Sequence, residues 1–419
     1  MTGPLSKSPA QRADRPSPEV VSPDGHWAWK DKSKAPHALK IGNTVYIGGQ
    51  VSLDRHGNLL GTADIETQTG NAFGNMVAVL NAAGATMNDL MKLHTYYVYE
   101  GEGHAVTEYW ERMTRVRLKY LAKPGPAATA LRVTGMPTRD VLIGIDGIAV
   151  IGSNRQRIMP EQSWDWSIPT PFSQGWKIDN RIFIGGQISA DVRGRATAVG
   201  DVEAQTKNIL EFVHEVLRRG GGDWSDLAML KICFGYSGSA EDSRALNARI
   251  LEVVRKRIPE PRPALTAFGT DFVYEGLLLE IDGYAVLGGK RKIVPAQNEA
   301  ESISAGFAQA QVADAEVYIG GVFARSDGGL YAQAEASLQK LGDVLAAADA
   351  DYRDLAKVTV FFVADGHDPT GSRGHQILGN VLPKYLQSPG PVITMVQVPV
   401  LPRRGQLFQI DGIANTGNS

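Results

Sequence analysis

The chain has 419 residues, with 43 Lys+Arg against 45 Asp+Glu and a net charge of −2. No long run of one sign occurs, so nucleic acid and anionic membrane are excluded as main partners, because neutralising phosphates needs a basic surface. Cys233 is the one cysteine, which rules out an intrachain disulfide; it lies in the strand-like run 230–234 and reads as a small buried hydrophobe rather than a nucleophile. Residues 1–25 carry Pro4, Pro9, Pro16, Pro18 and Pro23. They have no apolar core of signal-peptide type and read as a flexible arm, disordered or laid over a neighbour. No segment reads as a membrane span, and the expected location is the cytoplasm.

Beyond the arm, residues 39–47 place apolar side chains on both sides of a Gly42-Asn43 turn, which predicts a hairpin. Gly48-Gly49 then allows a close approach or a sharp turn. Phe73, Met76, Val77 and Leu80 lie at helical spacing, with Gly84 as the stop. Residues 90–98 read as a buried strand, and 106–121 as a second helix ended by Pro124-Gly-Pro126. Two further strands, 127–133 and 141–150, follow. The predicted order is β-β-α-β-α-β-β.

That order is written three times. Trp27-Ala-Trp29, Asn43, Gln50 and Gln68 recur 137 residues later as Trp164-Asp-Trp166, Asn180, Gln187 and Gln205, and Asp146 recurs 136 later as Asp282. A third copy starts 135 residues beyond the second, from Phe172 to Phe307 and Gln174 to Gln309, and the offset shrinks to 129 at Asp411. The period suits a whole domain rather than a solenoid repeat. The polar stretches 153–162 and 290–300 divide the chain into repeats at 26–153, 154–290 and 291–419. Strands alternating with helices predict an α+β sheet with helices on one face.

The motifs that carry this repetition are Lys40-Ile-Gly-Asn-Thr-Val-Tyr-Ile-Gly-Gly-Gln, Asp89-Leu-Met-Lys and Ile145-Asp-Gly-Ile-Ala in the first copy. Pro171-Phe-Ser-Gln, Ile184-Gly-Gly-Gln and Glu280-Ile-Asp-Gly-Tyr-Ala mark the second. Tyr318-Ile-Gly-Gly, Asp354-Leu-Ala-Lys and Gln409-Ile-Asp-Gly-Ile-Ala mark the third. Together they resemble the RidA/YjgF family, also called L-PSP. The resemblance implies a chorismate-mutase-like α+β domain that usually forms homotrimers, with small-molecule clefts between subunits. It implies hydrolysis of reactive enamines and imines to ketoacids and ammonia, without metal or organic cofactor. Three copies in one chain resemble that trimer made covalent, an intramolecular pseudo-trimer whose clefts are free to diverge. Further homo-dimerisation is left open.

The chain departs from the family in one consistent way. Deaminating members hold the substrate carboxylate with an arginine in a Pro-Ala-Arg-Thr-like run. Here the runs are Pro126-Ala-Ala128-Thr129, Pro263-Ala-Leu265-Thr266 and Pro391-Val-Ile393-Thr394. The threonines stay and the arginine is lost, so the substrate either lacks a carboxylate or is held differently. Arg132, on the same strand face as Ala128, is a candidate displaced anion contact, with an interface-paired arginine as the bland alternative. The family's late acidic residue is matched to Asp146, Asp282 and Asp411. As a carboxylate in a poorly solvated cleft each is a candidate water-activating base, weighed evenly against fixing a strand end through backbone N–H groups. Phe172 and Phe307 replace the family's tyrosine. With Ser173, Gln174, Gln50, Gln187, Thr129, Thr266 and Thr394 they complete the candidate ligand-contact set. The histidines show no metal spacing.

Two functions fit. One is a cofactor-independent hydrolase acting at a C–N or C=N bond of a small metabolite in a cleft between repeats, with Asp282 the favoured base because repeat 2 keeps most of the set. The other is a non-catalytic small-ligand binder or scaffold on the same pseudo-trimer. A fold-level analogy also allows one ring-shaped ligand on the pseudo-threefold axis.

Overall fold

Strands that read as unbroken apolar runs do so because both faces of each sheet are covered. The computed structural model describes residues 17–29, 35–152, 154–161, 163–296, 306–364, 372–387 and 389–417. Repeat 1 contains β1 (Glu19–Val21), β2 (Ala38–Ile41), β3 (Thr44–Val51), α1 (Ile65–Ala82), β4 (Leu90–Val98), α2 (His104–Arg117), β5 (Ala127–Val133) and β6 (Ile143–Val150). Repeat 2 contains β7 (Arg155–Ile158), β8 (Gly175–Ile178), β9 (Arg181–Ile188), α3 (Val202–Arg219), β10 (Leu227–Gly235), α4 (Ala240–Arg257), β11 (Ala264–Thr270) and β12 (Leu279–Val286). Repeat 3 contains β13 (Arg291–Pro295), β14 (Ala308–Ala313), β15 (Glu316–Val322), α5 (Gly329–Ala347), β16 (Leu355–Phe362) and α6 (Ser372–Gln376). A π turn (Ile377–Val381) leads from α6 into α7 (Leu382–Tyr385), then β17 (Val392–Gln397) and β18 (Phe408–Asn415).

The strand order of repeat 1 is β1-β2-β3-β6-β4-β5, and the other two repeats reproduce it. Only β4–β5 and its counterparts β10–β11 and β16–β17 pair in parallel within a repeat. The predicted order lacks the leading strand of each copy. Within the segment read as a flexible arm, Glu19–Val21 pairs with β2 and Val21 is buried; residues 1–16 of that arm lie outside the described residues. A strand as short and polar as Arg155-Gln-Arg-Ile158 carries no periodic signal and takes its order from the hairpin it joins.

Each sheet has a helical face and an axial face. Helices α1, α3 and α5 lie over the β3/β6, β9/β12 and β15/β18 pairs. One glutamine per copy ties helix to sheet: the Gln68, Gln205 and Gln333 side chains each donate to a loop carbonyl and accept the N–H of Leu142, Leu278 or Leu407. On the opposite face all three repeats contribute to one apolar core, including Tyr46, Ile148, Phe183, Tyr284, Tyr318 and Ile413. The copies therefore close as a pseudo-trimer around a shared axis.

The three contacts between repeats use the same device. The glycine pair of one copy lies directly against the Pro-x-x-Thr run that opens a strand of the preceding one. A Cβ on Gly48 would come within 3.1 Å of Ile393 O, one on Gly185 within 3.3 Å of Ala128 N, and one on Gly320 within 2.6 Å of Leu265 O. Backbone cannot yield as a side-chain tip can. Gly320→Ala should therefore destabilise the chain by about 1–3 kcal/mol in urea unfolding. Gly74→Ala, in mid-helix with open space around it, should be stabilising by about 0.5–1 kcal/mol. Equal effects would show that close approach does not explain the glycines.

Candidate functional site

The axial face carries three lysines and three aspartates, all buried. Lys92 of repeat 1 pairs with Asp282 of repeat 2 at 3.1 Å, Lys231 of repeat 2 with Asp411 of repeat 3 at 2.9 Å, and Lys357 of repeat 3 with Asp146 of repeat 1 at 3.1 Å. Each copy thus gives its ammonium to the next copy's carboxylate, and the ring closes. The threonine of the Pro-x-x-Thr run joins it. Thr129 donates to Asp282 Oδ2 at 2.7 Å and accepts from Lys92 Nζ, which also reaches Ile184 O at 2.6 Å. Lys357 Nζ likewise donates to Thr394 Oγ1 and Ile47 O. Repeat 2 varies this pattern. Met229 stands where the other copies have Lys92 and Lys357, and its lysine, Lys231, lies two residues on, opposite Asp282 in the ladder as His94 is opposite Asp146. His94 fills the remaining space, with Nδ1 2.9 Å from Asp146 and Nε2 3.1 Å from Asp282.

Electrostatics follow from this packing. Burial pushes the Asp146 and Asp282 carboxyls up, but Lys357 and His94 for the first, and Lys92 and His94 for the second, hold both well below the ordinary carboxylate value. Burial lowers Lys92 and Lys357, whereas its carboxylate neighbours outweigh burial and raise Lys231. The cavity beside Lys231, Lys357, Thr359 and Asp411 measures about 10 Å³, room for about one water and not for a ring-shaped metabolite. The three aspartates proposed as bases are thus placed on the axis and ion-paired, rather than in an open cleft. The axis ends in an open depression of about 390 Å³ lined by Asn43, Asn180, Arg181, Asp314 and Glu316 among others.

The remaining predicted residues divide between interfaces and framework. Arg132 pairs with Asp271 of repeat 2 and donates to Gly101 O, the interface-paired alternative. Ser173 donates to Gly125 O at 2.7 Å across the repeat 1–repeat 2 contact, and Gln174 donates to Trp164 O at 2.7 Å. Phe172 is buried against Trp164 and Trp166, and Phe307 lies under Arg255 and Arg262. Thr266 Oγ1 is buried without a hydrogen-bond partner among the described residues. Gln50 accepts the Trp27 indole N–H at 2.9 Å and Gln187 accepts that of Trp164 at 3.4 Å. Their co-occurrence in two copies, and joint replacement in the third by Glu299 and Val322, is the sequence trace of that bond.

Sequence reasoning missed two features. Lys92 and Lys357 lie within the motifs, and Lys231 within the strand-like run 230–234, yet none was assigned a role; a lysine inside an otherwise apolar strand was the available signal. Glu280 was passed over for Asp282, two residues on and on the same face. It lies over the Gly185-Gly186 turn at the repeat 1–repeat 2 contact, where a Cβ on Gly186 would overlap its carboxyl. It is 4% exposed and forms no ion pair among the described residues. Burial, then Asp282, pushes its carboxyl well above the ordinary range despite Lys92. Gly144 and Gln409 occupy this position in the other copies, so repeat 2 alone has a titratable group there. Among the described residues no group of three or more His, Cys, Asp or Glu could hold a metal ion, and no helix is long and apolar enough to cross a membrane.

Comparison with known proteins gives a consistent picture. The family described as Endoribonuclease L-PSP matches residues 33–151, 167–287 and 298–416. A RutC family protein of Pyrococcus abyssi is 33% identical over 112 residues, 27% of this chain and 82% of its own length. A 2-iminobutanoate/2-iminopropanoate deaminase of Dermatophagoides farinae is 30% identical over 27% of this chain and 83% of its own. The 3-aminoacrylate deaminase RutC of Acinetobacter baylyi is 29% identical over 27% and 86%. Among solved structures, RidA from an Antarctic Psychrobacter is 26% identical and covers 32% of this chain and 99% of its own, with a TM-score of 0.28. A chorismatase is 18% identical and covers 64% and 80%, with a TM-score of 0.46.

The ring makes two measurable demands. Asp282→Asn leaves Lys92 buried without its counter-charge and should cost about 3–5 kcal/mol in unfolding free energy, whereas Lys92→Met with Asp282→Leu together should cost much less. A carboxylate held below its unfolded value stabilises fully above that value and loses the contribution as pH falls. Stability should therefore drop below the ordinary carboxylate value of 3.8, and Asp282→Leu with Lys92→Met should flatten that drop. A single variant as stable as wild type would deny the ring its role.

Proposed function

The chain belongs to the Endoribonuclease L-PSP family, three copies over, and on that premise we propose that it is a hydrolase of a C=N bond acting in the cleft between repeats 1 and 2. The observation that carries this reading is Glu280, a buried carboxyl favoured in its neutral form at the contact between two copies. Relatives that match one repeat of this chain are imine and aminoacrylate deaminases by name, so the reaction class is taken from them and the residues from this chain.

In this reading Glu280 in its acid form donates a proton to the imine nitrogen, making the carbon electrophilic. Water adds to that carbon, and the Glu280 carboxylate takes one of its protons. The resulting carbinolamine collapses to a carbonyl and ammonia, so that R₂C=NH and water become R₂C=O and NH₃. A proton donor with a raised pKa suits this role near neutral pH. Asp146, Asp282 and Asp411, held ionised by their lysines or built into the ring, serve closure in this account rather than proton transfer. Asp282 still contributes indirectly, since its charge helps keep Glu280 protonated.

Glu280→Gln places in repeat 2 the residue that repeat 3 already carries at Gln409, so the variant should fold. Ammonia release from small imines and enamines should fall about 10²–10⁴-fold with the melting temperature unchanged. Undiminished turnover in Glu280→Gln would remove Glu280 as the acid. No ammonia release by the wild-type chain from any imine would favour the alternative of a non-catalytic binder.

A further inference from the structure

Arg117 is 1% exposed, yet Nε, Nη1 and Nη2 have no hydrogen-bond partner among the described residues. It forms no ion pair there either; its neighbours are the face of Trp110, 5.7 Å from the guanidinium carbon, and the phenols of Tyr97 and Tyr274. A guanidinium buried without a counter-charge costs several kcal/mol, and burial pushes this one down to about 10.

The other two copies serve as internal controls. The runs Leu121-Ala-Lys-Pro-Gly-Pro126, Ile258-Pro-Glu-Pro-Arg-Pro263 and Leu386-Gln-Ser-Pro-Gly-Pro391 align without gaps, so Arg117 corresponds to Val254 and Leu382, both buried. The fold therefore does not need a charge at this place. The same substitution pattern surrounds it. Opposite-strand register equates His94, Lys231 and Thr359. Thr95 thus corresponds to Ile232 and Val360, and Tyr97 to Phe234 and Phe362. Thr95 Oγ1 and the Tyr97 hydroxyl are both buried and have no hydrogen-bond partner among the described residues. On α2, Trp110 and Thr114 share the inward stripe with Arg117, and among the described residues Trp110 Nε1 and Thr114 Oγ1 have no hydrogen-bond partner either. Repeat 2 closes the cluster with Trp166, which stacks on Trp110 at 4.7 Å and whose own Nε1 has no hydrogen-bond partner among the described residues.

We propose that this polarised interior of repeat 1, capped by Trp166 and Tyr274 of repeat 2, is a binding site for a small planar carboxylate, with Arg117 holding the carboxylate. The chemistry of the unpaired groups selects the ligand. Guanidinium and indole nitrogens can only donate, and the hydroxyls can donate, so the partner must be rich in acceptors. The uncompensated positive charge requires an anion, and the planar fork fits a carboxylate through two parallel bonds. Stacked indoles favour a flat, ring-bearing body. The site also answers the loss of the family's strand arginine. Thr129 points to the axis, so Ala128 and Ala130 face the helices with only methyl groups, and Arg132 at the far end of that face is taken up by Asp271 and Gly101 O. The clamp has moved from strand to helix. The inference rests on the hydrolytic reading for the fate of the bound ligand, not for binding.

The test is calorimetric titration of the full chain with sodium benzoate and with benzamide, its neutral counterpart. Benzoate should bind and benzamide should bind at least about tenfold more weakly. Arg117→Leu should weaken benzoate at least about tenfold, the worth of one charge-assisted hydrogen bond. It should also melt at or above the wild-type temperature without ligand, because the other copies hold aliphatic residues there. Tyr97→Phe should fold like wild type and weaken benzoate as well. Glu280→Gln should leave benzoate binding intact whatever it does to turnover, which separates failure of the acid from failure of the site. Absent benzoate binding, equal binding by Arg117→Leu, or a melting temperature lowered by Arg117→Leu would overturn the proposal.

Discussion

Three ammonium groups and three carboxylates sit on an axis with room for about one water, and each ammonium pairs with a carboxylate of another repeat. That constraint organises the molecule. Desolvating one such ion costs several kcal/mol, so each copy is tolerable only when the next supplies the opposite charge. A sheet displaced by one residue would turn its whole charged set to the wrong face, so the ring fixes register as well as closure. The glycine pairs let backbones approach closely enough for Lys92 and Lys357 to reach carbonyls as well as carboxylates. Fusion adds what identical subunits cannot have. At the mouth of the axis the three equivalent positions hold Thr44, Arg181 and Glu316. Arg181 donates to Thr44 and pairs with Glu316, which also accepts from Tyr46 and Tyr318. Three arginines or three glutamates there would repel one another.

The same freedom accounts for unequal clefts. The axial ring is kept in every copy, with one lysine moved by two residues, whereas the cleft groups are not. Only repeat 2 has a carboxyl over its glycine pair, and only repeat 1 has Arg117, Thr95 and Tyr97 where its sisters pack Val, Leu, Ile and Phe. Both differences face the same contact. An interior that gives up Val, Leu, Ile and Phe for Arg, Thr and Tyr loses stability, and such local losses gather where a ligand restores what was given up.

Much of this was legible in the residues. Fixed offsets between motif sets exposed three domains, and the helix and buried-strand patterns located the elements, because sheets covered on both faces produce long apolar runs. The leading strands β1, β7 and β13 were hidden, since three- to five-residue polar edges have no period of their own. Asp146, Asp282 and Asp411 were visible as repeated carboxylates, but whether an aspartate acts on water or pairs with a lysine depends on contacts more than 100 residues apart, such as Lys231 with Asp411. The joint loss of Trp-x-Trp and glutamine in repeat 3 was readable as a pair, yet only geometry shows the indole donating to the amide. Arg117 lay in a helix that reads as ordinary; its meaning appears only when Val254 and Leu382 are set beside it in three dimensions.

The ring is tested most directly by a double-mutant cycle on its simplest link, Lys231 and Asp411, read by chemical unfolding of the intact chain. Lys231→Met and Asp411→Leu each remove one side of the 2.9 Å pair, and the double variant removes both. The account predicts a coupling energy of about 1.5–3 kcal/mol between the two sites; additivity within about 0.5 kcal/mol would contradict it.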